Sequence, residues 1–146
     1  MEVRRVRVAD PAGVSALNGW EVYERALYGD HPELYSIEAS EFEPPNGAFF
    51  VVISDGSTVS GGGFRRVSPD VCEVKRMWTA PDRRRRGYAS AVLDAIEDEA
   101  RRLGYSTLCL ETGPVQHEAL ALYENRYSQV PAYHYDDAIA FGHSLE

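Results

Sequence analysis

The chain has 146 residues, 44% of them hydrophobic and 26% charged, which is ordinary for a globular protein and predicts one domain with a sizeable core. Its formal net charge of −8 disfavours a nucleic-acid partner, because a polyanion would be repelled by the chain as a whole. No apolar run approaches the roughly 20 residues of a membrane span, and the N-terminus lacks a signal-peptide core, so we expect a cytoplasmic protein without a membrane partner.

The chain begins with a predicted strand and a predicted helix. Valines alternate with arginines over Glu2–Val8, which predicts a short first strand. Asp10 and Pro11 match the cap and first turn of a helix, and apolar residues at helical spacing carry that helix to Leu27.

The next segment, residues 28–47, contains several prolines and has no clear periodicity. A short helix over Glu33–Ser40 is the only element predicted there. Residues 18–47 hold seven acidic side chains against one arginine. This charge pattern indicates either a solvated face or a rim that attracts a cationic acceptor.

A hairpin follows the acidic segment. Ala48–Ile53 and Thr58–Phe64 are predicted strands, joined by a tight turn at Asp55-Gly56. The glycine triplet Gly61–Gly63 weakens the second strand and predicts a bulge or a close approach of another backbone or ligand.

The centre of the chain is a strand, an arginine-rich loop and a long helix. Val71–Thr79 is a predicted strand, Arg83–Arg86 is an arginine tetrad, and Gly87 precedes a helix that Gly104 ends. The first turn of this helix has no acidic residue, although the free N–H groups there favour negative charge. We therefore interpret the loop as a site for a phosphate or pyrophosphate. A solvated charge run and nucleic-acid binding are the alternatives.

The last third of the chain predicts a strand, a helix and one or two further strands. The strand is Ser106–Glu111 and the helix is Gln116–Glu124, with Asn125 as a left-handed cap and strands within Tyr127–Leu145. Antiparallel hairpins followed by a strand–helix–strand unit predict an α/β fold in a single domain.

Cysteine and histidine spacing argues against a metal site. Cys72 and Cys109 each lie in an apolar strand, and neither they nor the four histidines show ligand spacing. Two buried free thiols in a reducing compartment are expected.

These motifs together resemble those of the GNAT superfamily of N-acetyltransferases. Residues 84–89 fit the family pattern (Gln/Arg)-x-x-Gly-x-(Gly/Ala), and the resemblance covers about half of the chain. The segments that carry it are Glu73–Trp78, Thr79–Pro81, Arg84–Ala89, Leu110–Gly113 and Ala119–Glu124. The resemblance implies one N-acetyltransferase domain over residues 1–146, with a mixed, mostly antiparallel central sheet, helices on both faces and a splayed strand pair at the cofactor site.

The resemblance also implies acetyl-CoA as co-substrate and no metal. Its pyrophosphate would lie on the backbone N–H groups of the loop, and its pantetheine arm would pair with the end of the preceding strand. The residues implied in binding are Arg84, Arg85, Arg86, Gly87, Tyr88, Ala89 and Ser90 for the pyrophosphate, and Met77, Trp78 and Thr79 for the pantetheine. Gln116 stands where many members have a cofactor-contacting asparagine, so we expect a weaker contact there.

The implied reaction is direct attack of an amine on the thioester, with a base acting through water. Glu73 is the first candidate for the base and Glu111 the second. A structural carboxylate paired with Lys75 or Arg76 is the alternative for Glu73. Tyr123 is the implied acid that protonates the departing thiolate, and a core tyrosine is its alternative.

The chain departs from the family pattern at Arg126, where a glycine is usual, and at the bulky Tyr88. A catalytically silent sensor or interaction module that binds acyl-CoA is the rival function. The acceptor is a small-molecule or peptide amine, bound by residues 20–47 and the tail around Tyr133–Asp137. The sequence leaves open which amine this is and whether two chains associate as a homodimer.

Overall fold

The computed structural model describes the whole chain, Met1–Glu146, as one seven-stranded sheet with helices on both faces. The strands lie in the order β1-β2-β3-β4-β5-β7-β6. Their bounds are Glu2–Val6 (β1), Gly47–Ser54 (β2), Ser57–Arg66 (β3), Val71–Thr79 (β4), Thr107–Thr112 (β5), Ser128–Val130 (β6) and Ile139–Ser144 (β7). The α-helices are Pro11–Tyr28 (α1), Pro32–Tyr35 (α2), Tyr88–Arg102 (α3) and His117–Arg126 (α4).

The first four strands form an antiparallel half-sheet, as the hairpin signals predict. Asp55 and Gly56 both have positive φ and make the β2–β3 turn. The first strand ends at Val6 rather than Val8, because the Asp10 carboxylate accepts a hydrogen bond from the Arg7 N–H at 2.9 Å and turns the chain. Val8 is then buried beneath α1 instead of extending the strand.

The second half of the sheet is built on the crossover from β4 through α3 to β5. β4 and β5 are parallel, but they pair over three positions only, the last being Glu73 opposite Cys109. Beyond Glu73 the two strands separate, while β5 continues to pair with β7. The predicted splayed strand pair is therefore present, and its mouth opens towards the loop before α3.

Two apolar layers hold the helices to the sheet. Alternate residues of β2 point to opposite faces, so that Phe50 packs beneath α3 and Phe49 packs beneath α1. Val92, Leu93 and Ile96 of α3 are fully enclosed. Each such side chain contributes about 1.5–3 kcal/mol through burial, which fixes α3, and with it the loop that precedes α3, on the sheet.

The glycine triplet in β3 is a site of close approach, as expected. The register between β3 and β4 shifts between Gly61 and Gly63. A Cβ at Gly61 would lie 2.8 Å from the Cβ of Ala16 in α1, and one at Gly62 would overlap the Met77 sulfur. These glycines therefore let both α1 and β4 pack closely on β3.

Three local predictions are wrong in detail. The segment predicted as a helix over Glu33–Ser40 is α2 followed by a short 3₁₀ turn at Ala39–Phe42. Asn125 is not a left-handed cap, because α4 continues to Arg126, whose guanidinium is held by two carboxylates of α3. Cys109 is only half-buried, although both cysteines are free and burial raises the pKa of each thiol.

Candidate active site

The loop before α3 forms a concave run of unpaired N–H groups. Arg85 and Gly87 both have left-handed φ, 64° and 81°, a conformation that turns successive N–H groups towards one side. No side chain caps α3, and the first backbone bond after the loop runs from the Ala91 N–H to the Gly87 carbonyl at 3.0 Å. The N–H groups of Gly87 to Ser90 therefore have no acceptor within the protein, and no carboxylate blocks them.

The arginines of this loop differ in what they contact. The Arg83 guanidinium lies 3.8 Å from Asp82, and the Arg84 Nε lies 3.3 Å from Glu118 of α4 while its guanidinium stacks on Tyr23. Arg85 and Arg86 are exposed and form no ion pair. These two cations are exposed beside the unpaired N–H groups, an arrangement that favours the binding of an anion.

The bulky Tyr88 does not obstruct the loop. Its side chain is buried against the sheet, and its hydroxyl lies 3.4 Å from the Ser54 hydroxyl. The departure from the family pattern at this position therefore affects the core and leaves the N–H groups open.

A bulge in β4 rearranges the strand at the point where the sheet splays. Arg76 has a left-handed φ of 65°, which is unusual for a residue with a side chain. Before the bulge, Cys72 and Val74 point to the α3 core; after it, Met77 points there as well. Consequently Lys75 and Arg76, although adjacent in sequence, both face α1.

The carboxylate of Glu73 is buried and held by two neighbouring side chains. Glu73 is 4% exposed, its Oε1 lies 3.2 Å from Arg65 Nη2, and its Oε2 accepts a hydrogen bond from the Tyr133 hydroxyl at 2.5 Å. The predicted structural partners Lys75 and Arg76 do not bind it, because Arg65 is directly opposite on β3. Both oxygens of Glu73 are thus engaged by the protein.

Glu111, at the end of β5, is engaged on one side only. Its Oε2 accepts hydrogen bonds from the backbone N–H groups of Tyr133 and His134, at 2.8 and 3.0 Å. Its Oε1 is enclosed and accepts no hydrogen bond from another protein group. A buried carboxylate oxygen without a protein donor is energetically costly unless a water, a ligand or a reaction uses it.

Tyr123 lies on α4 with its ring between Tyr127 and Phe141. It is 5% exposed, and its hydroxyl makes no hydrogen bond to the protein. Burial, with a smaller contribution from the Glu24 carboxylate, raises the pKa of Tyr123, so the phenol keeps its proton at neutral pH.

One face of α1 closes the site from the side opposite α3. The Arg76 guanidinium stacks on Trp20 at 4.1 Å, and the Tyr28 hydroxyl accepts a hydrogen bond from Gln116 at 3.0 Å. Glu24 lies one turn from each of these aromatic residues on the same helix face. Burial raises the pKa of Glu24, and the nearby Arg76 and Lys75 oppose that shift.

Most of the predicted site residues lie near the splay, but three of them contact other parts of the protein instead of facing the open end of the sheet. The Trp78 ring lies against Gly19 of α1, and the Thr79 hydroxyl forms a hydrogen bond with the Ser60 hydroxyl. The Gln116 side-chain amide donates a hydrogen bond to the Tyr28 hydroxyl. Sequence reasoning placed Tyr133 and Glu24 only within broad acceptor segments and missed Arg65. Only Glu24 carried a local signal, as an acidic residue at four-residue spacing between two aromatic ones.

No cluster of three or more histidine, cysteine, aspartate or glutamate side chains is arranged to hold a metal ion. None of the helices combines the length and the apolarity that crossing a bilayer demands.

Comparison with known proteins identifies the family. The model of the acetyltransferase (GNAT) family matches residues 16–127. The uncharacterized N-acetyltransferase YjgM of Escherichia coli K12 is 31% identical over 122 residues, which cover 82% of this chain and 68% of that protein. The family match spans more than half of the chain, so this chain belongs to the GNAT acetyltransferase family.

Solved structures share the fold. A GNAT-family acetyltransferase from Staphylococcus aureus Mu50 has a TM-score of 0.82 at 14% identity, covering 99% of this chain and 100% of that chain. The PaiA N-acetyltransferase of Thermoplasma acidophilum, solved in complex with coenzyme A, has a TM-score of 0.76 at 13% identity, covering 98% of each chain.

Proposed function

We propose that this GNAT-family chain is a single N-acetyltransferase domain, over residues 1–146, that transfers an acetyl group from acetyl-CoA to an amine. The observation that carries the proposal is the uncapped start of α3, where unpaired N–H groups and free arginines stand beside the splayed ends of β4 and β5. The two free thiols suit a reducing cytoplasm.

The residues at the splay fit acetyl-CoA. The N–H groups from Arg84 to Ser90 would hold the pyrophosphate, with Arg85 and Arg86 supplying charge-assisted contacts. The edge of β4 from Met77 to Thr79, which β5 leaves unpaired, would bind the pantetheine arm as an added strand. The structural likeness to a relative solved with coenzyme A supports this assignment. The bound donor supplies an activated thioester carbonyl at the splay.

Two side chains of the protein carry out the two proton transfers, one from the amine and one to the thiolate. We assign the base to Glu111, because its Oε1 is unpartnered whereas both oxygens of Glu73 are engaged. Glu111 takes the proton of the acceptor amine through water, and Glu73 remains a fixed negative charge. A backbone N–H near Met77 polarises the carbonyl oxygen, and Tyr123 protonates the thiolate.

The charges around the splay favour an amine acceptor with cationic character. Glu24 on α1 and Glu111 on β5 form no direct ion pair, although Arg76 and Lys75 act on Glu24 and Lys75 acts on Glu111 from a longer distance. An ammonium group between them would be stabilised before it loses its proton, whether it belongs to a small molecule or to a peptide.

The proposal is tested by thiol release. Purified protein given acetyl-CoA and a panel of amino acids, polyamines, aminoglycosides and peptides is expected to release free CoA with at least one amine class. Donor affinity is measured in parallel by calorimetry. Tight binding without release across the panel would favour the silent binding module, and absence of binding would overturn the proposal.

A charge reversal tests the donor site. Arg85→Glu is expected to weaken acetyl-CoA binding about tenfold or more, the equivalent of about 1.5 kcal/mol for one lost charge-assisted contact. Arg66→Glu, which changes the net charge equally at an exposed position of β3, is the matched control and should leave donor affinity unchanged. Equal weakening by both variants would contradict a local phosphate site.

A further inference from the structure

Lys75 is the only lysine of the chain, and it lies in the candidate active site. Lys75 is half-buried in the middle of β4. The sole lysine therefore occupies the part of the fold where an acyl donor and a base would meet.

Strand alternation before the bulge at Arg76 determines where Lys75 points. Cys72 and Val74 pack in the α3 core, so strand alternation directs Glu73 and Lys75 to the other face. Glu73 confirms this direction through its contact with Tyr133. Lys75 thus extends on the α1 side of the sheet, two residues before Met77, close to the point where β4 leaves β5.

The Lys75 ammonium has no partner of its own. Its ammonium group makes no ion pair or side-chain hydrogen bond. The Glu73 carboxylate is instead paired with Arg65, and one oxygen of Glu111 accepts hydrogen bonds from two backbone N–H groups. Lys75 remains within electrostatic range of Glu73, Glu111 and Glu24. A half-buried cation without a partner is costly, and a purely structural lysine would be expected to hold one of these carboxylates.

Burial lowers the pKa of Lys75, although the Glu73 carboxylate opposes this shift. A lower pKa increases the fraction of neutral amine, which is the nucleophilic form. The half-buried site therefore favours reactivity at Lys75 over that of an exposed lysine.

We propose that Lys75 is an internal acetyl acceptor, so that the protein acetylates itself at this residue when it holds acetyl-CoA without an external amine. This inference rests on the proposed function, since it needs the same donor site. The proposed modification site therefore lies at the splay, on the same face of the sheet as the proposed base Glu111.

The step balances as an ordinary acyl transfer. The lone pair of neutral Lys75 Nζ forms a bond to the acetyl carbonyl carbon, and the carbon–sulfur bond of the thioester breaks. The amine proton passes through water to Glu111, and the thiolate receives a proton from Tyr123. The products are Nε-acetyl-Lys75 and free CoA, with no oxidation or reduction.

Mass spectrometry tests the inference directly. The folded protein is incubated with acetyl-CoA alone, and intact mass and peptide mapping are followed over time. We expect one acetyl group per chain, on Lys75, at a rate independent of protein concentration because the transfer is intramolecular. The addition should be absent in Lys75→Arg and slowed in Tyr123→Phe.

An added lysine supplies the internal reference. In Arg102→Lys, the new amine lies on the exposed last turn of α3, far from the splay. It should remain unmodified while Lys75 is acetylated, and a urea-unfolded sample should lose this selectivity. Equal modification of Lys75 and Lys at position 102 in the folded protein would indicate simple chemical acetylation and overturn the inference.

The amine panel separates the two proposals. CoA release with an external amine, together with an unmodified Lys75 in the absence of amine, would sink the self-acetylation inference and leave the proposed function intact. Absence of both CoA release and donor binding would overturn the two together.

Discussion

At the scale of single residues, the site separates two glutamates that the sequence offers as the first and second candidates for the base. Glu73 is bound by Arg65 and Tyr133, whereas Glu111 keeps one oxygen without a donor. Both lie on the same face of neighbouring strands, and Tyr133 touches both, through its hydroxyl and its N–H. The hydrogen bonds around each carboxylate therefore decide which one is available to take a proton.

We predict opposite effects for amide substitutions at these two positions. Glu111→Gln should lower kcat/KM by about 100-fold or more, the usual contribution of a general base, with a smaller loss of stability, because an amide oxygen still accepts from the Tyr133 and His134 N–H groups. Glu73→Gln should instead destabilise the fold by about 1–3 kcal/mol, because it weakens two buried hydrogen bonds. Thermal melts and pH–rate profiles of both variants check the assignment, which fails if Glu111→Gln retains full activity.

Tyr123 offers a second test at this scale. Tyr123→Phe should lower kcat by about 100-fold with little change in donor KM, because only the proton donor is removed from a ring that remains packed. Tyr105→Phe, at another buried core position where the ring packs against Phe64, is the matched control and should leave kcat unchanged. Unchanged turnover in Tyr123→Phe would mean that another group protonates the thiolate.

At the scale of elements, the start of α3 depends on one left-handed glycine. Gly87 has φ 81°, and a Cβ there would meet no other atom within 4 Å, so the backbone conformation alone calls for glycine. Gly104, at the other end of the same helix, has φ 94° and equally open surroundings. Substitutions at the two positions can therefore be compared to distinguish an effect on stability from an effect on donor binding.

We predict that Gly87→Ala and Gly104→Ala each destabilise the protein by about 1 kcal/mol, the cost of a left-handed residue with a side chain. Only Gly87→Ala should also weaken acetyl-CoA binding, because only that position lies in the proposed phosphate site. Melting curves and calorimetric titrations of both variants measure the two effects. Equal loss of donor affinity in the two would show that helix stability, rather than loop geometry, governs binding.

At the scale of the whole molecule, a buried carboxylate joins α3 to α4. Glu97 is 8% exposed and accepts hydrogen bonds from the Tyr127 hydroxyl at 2.7 Å and from Arg126 Nη2 at 2.6 Å. His143 of β7 lies 3.6 Å away. This cluster holds the helix that carries Tyr123 against the helix that begins at the proposed phosphate loop.

The cluster makes stability depend on pH. Burial acts to raise the pKa of Glu97, but the hydrogen bonds from Arg126 and Tyr127 outweigh it and hold the pKa below its ordinary value of 4.5. Because the unfolded chain then binds the proton more readily, this stabilisation is present above pH 4.5 and is lost as the pH falls through the folded pKa.

We therefore expect Glu97→Gln to cost about 1–3 kcal/mol at neutral pH, and to lose stability less steeply than the parent chain on acidification below about pH 4.5. Asp98→Asn, the exposed neighbour on the same helix, is the control and should change neither quantity appreciably. Denaturant midpoints measured across the acid range provide the comparison. Parallel slopes for the parent chain and Glu97→Gln would contradict a linked role for this carboxylate.

The sequence by itself determined the order of the main elements and the α/β fold class, because these follow from local information, while the splay was implied by the family resemblance and the phosphate site stays a prediction. Apolar periodicity places α3, and the missing acid before its first turn is visible in a few consecutive letters. The glycine triplet Gly61–Gly63 likewise predicted the irregular strand pairing that the structure shows there. Where local rules misplaced an end, as at Asn125, an ion pair from another helix extended the element.

Only the tertiary structure decided the chemistry of the two glutamates, since their partners are distant in sequence. Tyr133 reaches Glu73 across 60 positions, and Arg65 reaches it through strand pairing. The bulge at Arg76 interrupts strand alternation and turns Arg76 to the face that Lys75 already occupies, which no pattern of adjacent letters predicts. Hydrogen bonds and electrostatic interactions act over a few ångströms, so the availability of a carboxylate or an amine depends on which distant segments the fold brings together.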